Sequence, residues 1–158
     1  MEASACRQLA LLEFTTTTFV FRGIITDNGP GDSSEYMLLL FAQAGAITDV
    51  TAQQSYLERV VEALKGNRVA EDPRLLLTRA QAYFQLGQYA KAAADFKALQ
   101  SSFIYGANAD WGLTLCYLAQ LPAQAVAYQQ ALEEILADDS HSFYAKAVQL
   151  QERVEALR

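Results

Sequence analysis

Apolar residues recur every three to four positions from Leu75 onward: Leu76, Ala80, Tyr83 and Phe84, a break at Gly87, then Tyr89, Ala92, Ala93, Phe96 and Leu99. This is the period of two amphipathic helices joined by a tight turn. Pro73 suits the first turn of the first helix, where its missing N–H has no intrahelical partner, and Asp72 stands where an N-cap belongs. Gly87 is expected to end that helix in the left-handed conformation, which costs a residue without Cβ nothing. The alanines have a packing reason. Antiparallel helices approach to about 8–10 Å only where small residues lie at the crossing, and aromatics fill the wider gaps beside it.

A hairpin this short cannot bury both apolar faces alone, and the pattern returns. Tyr117 lies 34 residues after Tyr83, within "WGLTLCYLAQLPAQAVAYQQALEEIL", where a second hairpin turns at Leu121-Pro122 and carries Ala125 and Ala131. Its turn is expected to be one residue shorter than the first. Upstream, "FAQAG" at 41–45 echoes "YFQLG" at 83–87, and a longer connection, "AITDVT", leads to a helix carrying Tyr56, Leu57, Val60, Val61 and Leu64. A stripe of Phe143, Ala147, Leu150, Val154 and Leu157 predicts a closing helix with Glu152, Arg153, Glu155 and Arg158 in solvent. At the other end, Ala3 to Phe14 reads as a helix through Leu9 and Leu12. "TTTTFVF" then favours extended chain, and the loop "TDNGPGDSS" precedes a helix from Glu35 to Ala44 capped by Ser33 or Ser34.

The 34-residue period and the order aromatic, turn glycine, aromatic, alanine, aromatic resemble the tetratricopeptide repeat family. In the first unit Ala82, Tyr83, Gly87, Tyr89, Ala92, Phe96 and Leu99 carry the resemblance; in the second, Leu121 and Pro122 replace the turn glycine. The resemblance implies an all-α fold of helical hairpins stacked as a right-handed superhelix. Its expected parts are an N-terminal segment (1–33), a degenerate hairpin (34–66), two repeat hairpins (73–100 and 107–137) and a capping helix (141–158). The segment ending in Arg22-Gly23, the hairpins and "ILADDSHSFYAKAVQL" together look similar to C-terminal repeat domains of certain bacterial envelope-associated proteins. In the tetratricopeptide family the first helix of each hairpin lines a concave groove. Carried onto this chain, that face holds Arg74, Leu77, Gln81, Phe84 and Gln85 from the first unit, and Asn108, Trp111, Leu115 and Leu118 from the second. The mixture of aromatics, amides and one cation suits an extended peptide or partner helix, with Phe84 or Trp111 as anchor.

Composition narrows the classes. At 52% hydrophobic and 19% charged residues, 158 residues suffice for one domain with a substantial core. The net charge of −6, with no cluster of Lys and Arg, argues against a nucleic-acid partner. No apolar run is long enough to span a bilayer, and Met1-Glu2 opens without a basic region before an apolar one. The expectation is a chain without an export signal or membrane insertion, cytoplasmic by default and envelope-associated only by resemblance.

Chemistry-bearing residues are sparse. Cys6 and Cys116 belong to no paired-cysteine motif, and "NGPGD" lacks the flanking strand and helix of a phosphate-cradling loop. Glu133 with Glu134, and Asp138 with Asp139, are sequence neighbours that point apart on a helix, so they read as caps or solvated charge. No catalytic residue, metal ligand or cofactor site is assigned. Three functional readings follow. An adaptor predicts Phe84 or Trp111 open to solvent in the groove; a structural or self-association module, including a homodimer, predicts them covered. A hydrolase would need Cys116 and His141, the only histidine, within hydrogen-bonding reach in a cleft.

Overall fold

The computed structural model describes residues 2–16, 49–66 and 69–158. Seven α-helices occur among them: α1 (Ala3–Thr16), α2 (Val50–Ala63), α3 (Pro73–Gln85), α4 (Tyr89–Leu99), α5 (Gly106–Ala119), α6 (Ala125–Leu136) and α7 (Tyr144–Ala156), with a 3-10 turn at Val69–Glu71. No strand occurs among the described residues, so the protein is all-helical there. The extended reading of "TTTTFVF" fails at its start, because Thr15 and Thr16 form the last turn of α1, where the Thr15 hydroxyl donates to the Leu12 carbonyl; the rest of that stretch, Arg22-Gly23, the loop "TDNGPGDSS" and the expected helix Glu35 to Ala44 lie outside the described residues. Of the degenerate hairpin, only α2 is described.

Two compact units partition the chain, one of residues 20–95 and one of residues 1–19 with 96–158. In the first, α2 packs on α3, and Leu57, Val60 and Val61 of α2 are buried together with Leu64 at its C-terminal cap. Asp49 caps α2, accepting from the N–H of Thr51 and Ala52; Asp72 caps α3, accepting from Arg74 N–H at 2.9 Å. At the far end of α3, Gly87 takes φ +74°. Its N–H donates to the Phe84 carbonyl while the Gln88 N–H reaches back to Tyr83, so two otherwise orphaned carbonyls are satisfied. Any Cβ at this backbone angle is strained, and a β-branched one most. Gly87→Val should therefore destabilise by more than about 1 kcal/mol, read by urea melts; a neutral result would mean the turn does not need its glycine.

Contacts across the α3–α4 turn close the hairpin. Phe84 meets Tyr89 edge-on with centroids 5.1 Å apart, and the Lys91 ammonium lies 5.6 Å from the Tyr83 ring. One guanidinium joins three elements: Arg79 donates twice to Asp95 on α4, at 2.7 Å each, and once to the Leu64 carbonyl at the end of α2.

In the second unit α5 is the central helix, packed by α1 on one part of its surface and by α6 on another, with α7 on α6. Centrality explains its sequence: Trp111, Leu113, Leu115, Cys116 and Leu118 are all buried, so α5 is apolar nearly all round instead of amphipathic. Its buried Thr114 hydroxyl is satisfied by the Asp110 carbonyl one turn back. Gly112 has a separate role. A Cβ there would lie 2.5 Å from the ring of Phe96, which is itself fully buried and cannot step aside. Gly112→Ala is expected to cost about 1–3 kcal/mol of unfolding free energy, partly recovered by adding Phe96→Leu.

Three sequence expectations change in this unit. The α1 stripe is Cys6, Leu9, Ala10, Glu13 and Phe14, and Leu12 is 49% exposed. The turn between α5 and α6 occupies residues 120–124, longer than residues 86–88 of the first hairpin. Leu157 is 38% exposed, and Arg153 is no free surface charge: it pairs with Glu13 of α1, joining the two ends of the chain.

Candidate functional site

The nine residues expected to form an open concave face do not form one. Leu77, Gln81, Phe84, Trp111, Leu115 and Leu118 are buried, and only Gln85 is exposed. Asn108 is half-buried. For the α5 residues the cause is tertiary, because α1 lies against that helix and Phe143, from the start of α7, stacks on Trp111 with planes 2° apart and centroids at 5.5 Å. Arg74 is committed as well: its guanidinium donates to both carboxylate oxygens of Asp72. That contact holds the Asp72 carboxyl below the ordinary aspartate range, so the stabilisation is present above the ordinary pKa and is lost as pH falls through the lowered one.

Beside Trp111 sits a polar cluster that periodicity does not reveal. Asp110 accepts from the Gln100 amide at 2.8 Å through one oxygen and lies 3.2 Å from His141 Nε2 through the other. His141 Nδ1 accepts the Phe143 N–H at 3.1 Å. Nδ1 therefore carries no proton in the neutral ring, and Nε2–H donates to Asp110. Among the described residues, no thiol or hydroxyl hydrogen-bonds to this carboxylate–imidazole pair. Cys116 is fully buried, burial pushes its thiol far above the ordinary range, and both nitrogens of His141 are occupied by other partners. What the cluster does is fasten the α6–α7 connection to α5.

Among the described residues of this unit, a groove of about 310 Å³ opens between α6 and α7. Buried Leu121, Tyr128, Leu132 and Val154 contribute apolar surface to it, while Gln129 and Glu133 on α6, and Gln151 and Glu155 on α7, supply polar groups. Arg158 lines it near the end of α7. Tyr128 is anomalous. Its hydroxyl is buried with no hydrogen-bond partner among the described residues, and burial, reinforced by the neighbouring Cys6, pushes its pKa far up, with the Arg158 charge pulling the other way. This groove is not legible in the sequence, because its residues belong to two helices whose outward positions look like ordinary solvated faces. The one available signal was Tyr128 itself, a large aromatic among alanines and glutamines on α6.

Among the described residues no group of His, Cys, Asp and Glu could hold a metal ion, and no helix is long and apolar enough to cross a membrane. Comparison with protein-family models, curated proteins and solved structures found no match to this chain.

Proposed function

We propose that this protein is a non-enzymatic interaction module of the tetratricopeptide kind, an adaptor or scaffold that receives a peptide or helix of a partner protein between its own helices. Two helix–turn–helix units, α3–α4 and α5–α6, support the kinship, each carrying aromatics and alanines at helical spacing. The observation that carries the binding role is the α6–α7 groove, which the described residues leave open, with an apolar floor and polar walls. The buried Phe84 and Trp111 shift the binding surface away from the first helices of the hairpins. They also favour a second reading, in which those aromatics are structural and the module assembles with itself.

The test uses the full chain, immobilised and exposed to extract of the organism that makes it, with the retained contacts mapped by cross-linking mass spectrometry. Light scattering of the purified chain runs in parallel. A monomer that captures a stoichiometric partner through helix surfaces is the expected result. A stable homodimer with no retained partner would replace the adaptor by the self-association reading.

A further inference from the structure

Resting on the interaction-module reading, we propose that the α6–α7 groove docks a basic amphipathic helix from a partner protein, with the helix's apolar stripe along Ala125 and Leu136, over the buried Leu132 and Val154, and its Lys or Arg residues beside Glu133 and Glu155.

Three observations lead to this occupant. The α6 side of the groove runs from Ala125 to Leu136, about 16 Å at the helical rise per residue, which matches three turns of a partner helix presenting residues i, i+3 or i+4, and i+7. Along α6 the lining positions Ala125, Gln129, Leu132, Glu133 and Leu136 follow helical spacing, so a ridge of side chains from a third helix has a matching furrow. The two walls each carry an exposed carboxylate, Glu133 on α6 and Glu155 on α7, against the single cation Arg158 at one end. With a whole-chain charge of −6, a cationic ligand is attracted and an acidic one repelled. A second copy of this chain is the weaker occupant by the same charge argument, since like carboxylates would be brought toward one another.

The probe is a fluorescein-labelled, lactam-bridged peptide of about 14 residues, long enough for three turns and held helical because short helices are marginal in water. It carries leucines on one stripe and lysines on either side. Two controls share its length: one with glutamates replacing the lysines, and one with the same composition scrambled so that no stripe exists. Fluorescence anisotropy on the full chain should show the lysine peptide binding at least about tenfold tighter than either control, with affinity falling as salt is raised. The double variant Glu133→Lys with Glu155→Lys, whose two sites are exposed and whose melt should be unchanged, should lose about tenfold or more for the lysine peptide and gain for the glutamate one. Equal binding of stripe and scrambled peptides overturns the proposal, as does an affinity that the double variant leaves untouched. A homodimer that the double variant dissociates overturns it in favour of a second copy. No binding of any peptide, while the chain still retains a partner from extract, overturns this docking site and leaves the interaction-module reading standing.

Discussion

Asp95→Ala should lower the unfolding free energy by about 3 kcal/mol. The Arg79 and Asp95 side chains are only 20% and 9% exposed, and their fork of two 2.7 Å bonds is the polar link between α3 and α4. Removing the carboxylate leaves a largely buried guanidinium with the Leu64 carbonyl as its remaining hydrogen-bond acceptor. An uncompensated charge in that setting costs more than the intact pair contributes, because desolvation is no longer offset. For a chain of this size the melting temperature should fall by about 6–12 °C. The double variant Arg79→Leu with Asp95→Leu distinguishes this cause from simple loss of packing. It should be less destabilised than the sum of its single variants, since no charge is left unpaired. Additive losses would mean that the pair is not energetically coupled.

Trp111→Ala should cost about 3–5 kcal/mol. The indole is fully buried and stacked on Phe143, and α5 is held from two sides, so the space left by truncation cannot collapse freely. The comparison with binding is what gives this variant its value. If Trp111 belongs to the core, its loss lowers the melt steeply while the affinity of the remaining folded protein for its partner is unchanged; Phe84→Ala should behave alike, since that ring is also fully buried. A lost affinity with an intact melt would place these aromatics in a binding surface after all. As the only tryptophan, Trp111 also supplies its own readout, because its emission should move to the red in step with unfolding.

Local patterning determined a good deal of this protein. Helical periodicity, the Asp72 cap, Pro73 in the first turn and Gly87 at positive φ are consequences of backbone hydrogen bonding within a few residues, and such constraints are written in short stretches of sequence. Buried positions along α3, α4 and α7 follow from the same period, with Leu76, Phe96 and Leu150 facing inward. Tertiary structure decided which faces remain open. Helix α5 is apolar on most of its circumference, and periodicity cannot tell a face that waits for a partner from one that α1 or Phe143 covers. The pairings Arg79–Asp95 and Glu13–Arg153 were hidden for a related reason: charges 16 and 140 residues apart meet only when separate helices are brought together. Asp95 left one trace, a carboxylate on the stripe of Ala92 and Leu99 that had to be matched by an opposite charge. The α6–α7 groove left less, because a furrow is a property of two helices at once and each sequence alone shows only its own ridge.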